Sequence, residues 1–415
     1  VGVLLLILAA CNVATGGGDD GDAAPNDVEN DSVESVDLDS LDFSTAGWTT
    51  DFSKASVPLT EFHSGGPPRD GIPPIDDPTF VGVGDEPIAD QEPVIAVELD
   101  SVARAYPLQI LTWHEIVNDR IGDTPLAVTF CPLCHTAVVF DRTVDGEELT
   151  FGTTGNLRFS DLVMWDRQTE TWWQQFSGEA VVGELVGEEL LEVPSQLISM
   201  ADFTERFPDG EVLSRETGHD RPYGSNPSTG YDDVNQPPFA LQDVELAGRL
   251  SPKARVVSIQ QGDALVAVPF DLLEDEVVLN ETVVRRPVVL WWREGTTSAL
   301  GADQIADSRD GGSVVVYERR AGGQVLTFAA DGYVMVDAET GSRWNVSGNE
   351  SSGLGALRGG VRFVAAYPIT PASEILEYLA PNLEEVGGAL LQAEDELASV
   401  NMIIGSSFGG IPSLT

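Results

Sequence analysis

The chain repeats itself once, and the spacing of that repeat narrows the folds open to it more than any other feature. Pro93–Asp100 with Ala103–Leu108 matches Arg255–Gly262 with Leu265–Phe270. At a constant offset of 162 residues, Pro107 meets Pro269, Asn118 meets Asn280, Pro125 meets Pro287 and Ala137 meets Ala299. Further on, Leu149–Phe151 meets Leu326–Phe328, and Asp166–Trp173 meets Asp337–Trp344. Shared composition gives no fixed register, whereas a duplicated folding unit does.

Both copies carry the same pattern: two alternating strand-like runs, a helical stripe, then β-branched runs broken by Gly and Asp turns. This predicts an α+β fold, mostly antiparallel β, in two related halves from an internal duplication, each with a short helix before its central strands. The first helix is expected over Leu108–Ile121, with Ile110, Trp113, Val117 and Ile121 on one stripe. Strands are expected near Leu126–Phe130, Ala137–Arg142, Glu148–Gly152, Asp161–Asp166 and Thr171–Phe176. Asp145-Gly146 reads as a hairpin turn, and a shorter helix is expected to start near Ser199.

The N-terminus has a different character. An apolar run ends Leu8-Ala9-Ala10-Cys11, the pattern of a bacterial lipoprotein signal whose cysteine is acylated. It is too short to span a bilayer, so the expectation is an extracytoplasmic protein held to the cell membrane through lipid on Cys11. Residues 12–45 are mostly Gly, Asp, Glu, Asn and Ser, the composition of an acidic disordered tether. The remaining chain divides into a first half (46–204), a Gly/Pro/Tyr-rich connection (205–250), a second half (251–385) and a C-terminal tail (386–415). With 68 acidic against 22 basic side chains and a formal charge of -46, nucleic acid is excluded as a partner by repulsion. Nothing in the residues names a small-molecule or protein partner.

The chemistry concentrates in Cys131-Pro-Leu-Cys134-His135. The repeat provides an internal comparison, because positions required by the fold should match between copies. At offset 162, Cys131 becomes Arg293, Cys134 becomes Thr296, His135 becomes Thr297 and His114 becomes Glu276. The thiols and imidazoles are therefore what the fold does not demand, and the second half reads as lacking the site. Three chemistries suit the pair. Cys131 and Cys134 with His114 and His135 give a sulfur and nitrogen ligand set for zinc or copper. The two thiols could instead cycle between dithiol and disulfide. The letters also match a c-type haem attachment site with His135 as axial ligand. Metal binding is the first reading, thiol redox the second and haem the third. A non-catalytic surface module whose cysteines form a plain disulfide competes with all three.

On this reading His114 should lie within ligand reach of both sulfurs. Glu115 and Asp119, four apart on the expected helix, read as solvated acids. Glu115, Arg142, Arg158 and Asp161 are the candidates for a catalytic role, with Arg142 and Asp166 as a pair near the cysteines and Tyr223 and Tyr231 as lid residues.

Several words of the chain are specific together: Ala103–Pro107, Trp113–Asp119, Thr129–Cys134, Thr136–Arg142, Phe151–Leu157 and Ser160–Gln174. Over about 93–194, and more loosely to 380, the chain resembles the DUF3179 family of uncharacterised bacterial and archaeal proteins. In that family the residue after the second cysteine is often Gly or Asn, where this chain has His135. The resemblance thus implies Cys131, Cys134 and His114 as the shared core and moves weight away from haem.

Overall fold

The computed structural model describes residues 6–9, 38–241, 246, 248–261, 264–321, 323–344, 363–366, 389–392 and 413–414. The expected acylation site Cys11 and the tether up to residue 37 lie outside the described residues. The chain forms two compact units, one of residues 1–270 with 294–314, the other of 271–293 with 315–415. The elements are predominantly antiparallel strands with short helices, an α+β arrangement. No helix among the described residues is long and apolar enough to cross a membrane.

Three sheets of four or five strands make up most of the first unit. The hairpin Pro93–Leu99/Val102–Pro107 turns through Asp100 and Ser101, both at positive φ, and is widened by Ser195–Ser199, Glu211–Leu213 and Phe80–Gly82. A second sheet runs Leu191–Glu192, Thr136–Asp141, Thr124–Cys131, Ile116–Ile121. The third runs Ala180–Val182, Trp172–Gln174, Asp161–Asp166, Phe151–Arg158, Phe62–Ser64. One buried apolar cluster joins the helix Leu108–His114 to the first two sheets through Ile95, Tyr106, Ile110, Val128 and Phe130. Another lies between the second and third sheets and contains Cys131, Phe140, Phe151, Met164 and Trp173. Aromatic burial of this size dominates such a core. The hairpin Val256–Gln261/Ala264–Pro269 belongs to the same unit, with Leu6–Ala9 pairing along Ala264–Ala267.

The helix is half its expected length. It ends at His114, and Ile116–Ile121 form a strand paired with Thr124–Cys131. Val117 and Ile121 fit a helical stripe by spacing, but β-branched Ile116-Val117 favours a strand and Glu115, at φ +60°, breaks the helical path. Asp119 is accordingly a strand residue, buried and bound by Tyr106 Oη and Arg104. Other expected elements are present: Asp145-Gly146 turns a hairpin with both φ positive, and Ser199 caps Met200–Arg206 by accepting the Asp202 N–H at 3.1 Å.

In the second unit, Val278–Val283 and Arg286–Arg293 form a hairpin joined by Ser313–Glu318, most of which falls in this unit. Phe328–Asp331, Val334–Asp337 and Arg343–Trp344 make another antiparallel sheet. Phe363–Ala366 lies parallel to both Ala389–Gln392 and Ser413–Leu414.

Element bounds recur. Val102–Pro107, Leu108–His114, Ile116–Ile121 and Thr124–Cys131 correspond to Ala264–Pro269, Phe270–Glu276, Val278–Val283 and Arg286–Arg293, each 162 residues on (Val102 to Ala264, Thr124 to Arg286). Side-chain clamps recur with them. Asn118 Nδ2 donates to Phe151 O and its Oδ1 accepts from Phe151 N; Asn280 does the same with Phe328. Asp166 caps Thr169 and accepts the Trp173 Nε1–H at 2.9 Å; Asp337 treats Thr340 and Trp344 alike, also at 2.9 Å.

Candidate metal centre

Cys131 is the last residue of its strand, and Phe130 pairs with Ala137 and Cys131 with Thr136, so Pro132–His135 is a four-residue hairpin loop. Pro132 stiffens the loop, and His135 closes it at φ +54°. Within it the Cys134 N–H donates to Cys131 Sγ at 3.4 Å. The neighbouring hairpin Phe151–Arg158/Asp161–Asp166 turns through Phe159 and Ser160, at φ +53° and +67°. That turn brings Ser160 O to 3.8 Å from Cys131 Sγ and Asp161 Oδ1 to 3.0 Å from Cys134 Sγ. The thiols are free, and one ligand atom each from Cys131, Cys134 and Asp161 lie within 4.8 Å of one another.

The pKa of each ionisable group here is raised, which disfavours its charged form. Burial pushes the Cys131 thiol up, with the charges of Asp161 and Glu115 adding to it. Cys134 is raised well above the ordinary range by burial, by Cys131 and by Asp161. Burial raises Asp161 as well, although Gln174 and the Phe176 N–H at 3.0 Å bind its Oδ2. Glu115 is pushed up to about 8, by burial first and Asp161 second. Four acids crowd together with no positive charge among the causes of their shifts. Such a set is disfavoured as anions until a cation arrives. The Ser160 hydroxyl is buried beside them with no partner among the described residues, and an orphaned buried donor calls for an explanation. Two sulfurs and carboxylate oxygens match a borderline divalent ion, so the residues fit a metal.

The histidines are elsewhere. His114, fully buried, has Nδ1 on Pro73 O and Nε2 on Tyr223 Oη, both at 2.7 Å, and its ring faces His219 at 5.2 Å. Burial holds it down at about 4. Neither nitrogen is available to the sulfurs, so the expected His114 ligation is replaced by structural bonding to segments 41 and 109 residues away. His135 packs edge-on against Phe130; burial first, then Arg255, holds it down at about 3, and its Nε2 is buried without a partner. It is not in the ligand cluster.

Arg142 is a strand clamp on the carbonyls of Leu126 and Leu149 and on Glu148, not a partner of Asp166. Arg158 binds Glu61 at 2.7 Å and Gln174 at 3.3 Å, one step behind Asp161. Tyr223 is tied down by His114 and Thr217. Tyr231 borders a groove of about 790 Å³, with Leu133 from the cysteine loop, Phe239 and Lys253. Gln174, which orients Asp161, was not singled out by the sequence. Its signal is that a glutamine follows two buried tryptophans on a strand.

Comparison with known proteins gives two results. The model of the family described as protein of unknown function DUF3179 matches residues 69–367. A second model, pyruvate flavodoxin/ferredoxin oxidoreductase, thiamine diphosphate-binding, matches residues 354–415. The 2-oxoglutarate synthase subunit KorA of Methanocaldococcus jannaschii is 46% identical over 70 residues, 17% of this chain and 19% of that one. Its counterpart in Archaeoglobus fulgidus is 44% identical over 70 residues, 17% and 20%. The chain thus spans about a fifth of the length of these curated relatives. A solved 2-oxoglutarate:ferredoxin oxidoreductase from Magnetococcus marinus is 51% identical over 15% of this chain and 11% of that one, with a TM-score of 0.15.

Proposed function

The chain belongs to the DUF3179 family, and from that premise we propose that its function centres on a metal ion bound by Cys131, Cys134 and Asp161. The observation that carries this reading is their ligand atoms lying within 4.8 Å in a buried site. Metal chemistry is favoured over thiol redox because redox thiols need a depressed pKa and a cationic or helix-terminal setting. Here burial and neighbouring acids raise both thiols. A bound cation would reverse that, deprotonating the thiols outright. Zinc fits the mixed sulfur and oxygen set; with both histidines elsewhere, copper has less support. Covalent haem is not supported, since Cys131 is packed into the core beside Phe140, Met164 and Trp173.

The two halves are read as products of duplication, supported by the recurring element bounds and by the Asn118/Asn280 and Asp166/Asp337 clamps. Lipid anchoring through Cys11 on the extracytoplasmic side is part of the same proposal. Cleavage before Cys11 would remove the strand Leu6–Ala9 and leave Val256–Pro269 as a two-stranded hairpin. Labelled fatty acid should enter the wild type and not Cys11→Ala. The C-terminal segment is read separately, as a short piece of the 2-oxoacid oxidoreductase type. Its described strands are parallel. So small a share of those relatives does not carry their activity over to this chain.

The direct test is metal analysis of the full chain purified without chelator, with thiol titration in parallel. About one zinc per chain is expected, with two thiols that react only after chelation, and both Cys134→Ser and Asp161→Asn should lose the metal. Absence of metal with two freely titrating thiols would sink the reading.

A further inference from the structure

A groove beside the cysteine loop combines a positive charge with exposed aromatic surface. We infer that this groove, of about 790 Å³ and bordered by Leu133, Tyr231, Phe239 and Lys253, binds a small organic carboxylate with an apolar body. Lys253 holds the carboxylate, and the two aromatic rings with Leu133 hold the body. Binding there does not depend on a metal at the centre.

Hydrogen bonds within the first unit fix the walls. On one side, the segment carrying Tyr231 is pinned to residues 300–303. The Asn226 N–H donates to Asp303 O at 2.8 Å, and the Gly230 N–H to Leu300 O and Gly301 O at 2.9 Å each. Tyr231 Oη then accepts the Phe239 N–H at 2.9 Å, which sets the second ring in place. Lys253 closes that side, its backbone N–H on Val234 O at 3.2 Å. On the other side stands Leu133, between Cys131 and Cys134. Beside it is Gly65, whose N–H binds Gly155 O at 2.8 Å on the hairpin that carries Asp161. A preformed, mostly apolar concavity with a few placed polar groups is the usual form of a small-ligand site.

Charge selects the occupant. The chain has 68 acidic side chains and only two lysines, Lys54 and Lys253. Lys253 nevertheless makes no ion pair among the described residues: its Nζ donates to Tyr231 O and lies 3.9 Å from the centroid of the Tyr231 ring. The acids of the same loop are committed elsewhere. Asp232 takes Arg309 at 2.9 Å and the Ser298 hydroxyl at 2.6 Å. Asp233 takes the Asn235 N–H at 3.1 Å and Gln236 Nε2 at 3.5 Å. An ammonium has donors beyond the one spent on Tyr231 O. In a molecule of formal charge -46, an unneutralised cation inside a groove is where an anion can be held. Phe239 is 47% exposed, so apolar surface stands uncovered beside that charge. A bare anion would leave the rings uncovered, and a neutral apolar molecule would leave the lysine without a counter-charge. A carboxylate on an apolar body satisfies both.

The test is calorimetric titration of the full chain with phenylacetate at about 0.15 M salt, beside the neutral phenethyl alcohol and the cationic phenethylamine. Saturable binding of phenylacetate below about 10 mM is expected, with the alcohol and the amine each at least about 5-fold weaker. Lys253→Met should weaken phenylacetate at least about 5-fold and leave the alcohol unchanged. Lys253→Arg keeps the charge and the contact with the Tyr231 ring, and should restore most of the affinity. Phe239→Ala should weaken acid and alcohol alike. A loss in the arginine variant equal to that in the methionine variant would make Lys253 structural and overturn the proposal. So would no saturable binding up to about 10 mM, or a smaller preference over the alcohol or the amine. A dimer that takes up none of the three would also overturn it and assign the groove to a second copy. Metal content and thiol titration stand outside this readout, so failure here leaves the metal reading in place.

Discussion

Glu115 binds a proton in the folded, metal-free chain at pH values where the same group in water is ionised, and this sets a pH profile. Its carboxyl is raised from 4.5 to about 8, whereas His114 and His135 are lowered from 6.5 to about 4 and about 3. Between about pH 8 and 6.5 the folded chain holds the Glu115 proton and the unfolded chain does not, so stability rises as pH falls. From 6.5 down to about 4.5 the unfolded chain gains two histidine protons that the folded chain refuses, and stability falls again. Urea unfolding in chelator should therefore show a maximum near pH 6.5, and Glu115→Gln should flatten the limb between 6.5 and 8. A wild-type curve that falls steadily from pH 8 to 6.5 would contradict the assignment. At this scale the sequence was partly legible. Cys131 and Cys134 read as ligands from residue type and from their replacement by Arg293 and Thr296 at offset 162, whereas Asp161 reads only as a candidate catalytic residue. His114 was misplaced because its partners, Pro73 and the loop residue Tyr223, are distant in the chain and carry no spacing signal. Glu115 reads as solvated on a helix continued to Ile121; the helix ends at His114 and Glu115 is buried.

At the scale of elements, in each of the two units one asparagine closes the gap between two strand pairs. The Asn118 amide satisfies both backbone groups of Phe151, and Asn280 those of Phe328, with every bond between 2.7 and 2.9 Å. Truncation to alanine leaves a buried donor and acceptor unmatched, a loss of about 1–3 kcal/mol each. Asn118→Ala and Asn280→Ala are each expected to lower the unfolding free energy by about 2–4 kcal/mol. Denaturant titration checks this; a change below about 0.5 kcal/mol, typical of a surface substitution, would show the clamp to be dispensable. Turn chemistry made several elements legible in advance: Asp145-Gly146 and the Ser199 cap both appear as read. The end of the first helix was not, because Ile110, Trp113, Val117 and Ile121 satisfy helical spacing while the last two lie in a strand. Periodicity alone cannot distinguish these when a left-handed residue intervenes.

Over the whole molecule, acidity is the governing property. A formal charge of -46 opposes compaction through self-repulsion. Raising salt from about 10 mM to about 1 M shortens the Debye length from about 30 to about 3 Å, so thermal unfolding is expected to move upward with salt. A melting temperature that stays flat or falls across that range would mean local pairs such as Arg104–Asp119 outweigh the global field. The position of the centre along the chain has a consequence for biogenesis. Its three proposed donors all come from residues 131–161, in two hairpins close in sequence. Contacts so near in sequence close with little loop entropy and form early. The proposed ion can therefore be captured by this stretch while the later half of the polypeptide is still being synthesised, and would then act as a nucleus around which the remaining strands assemble.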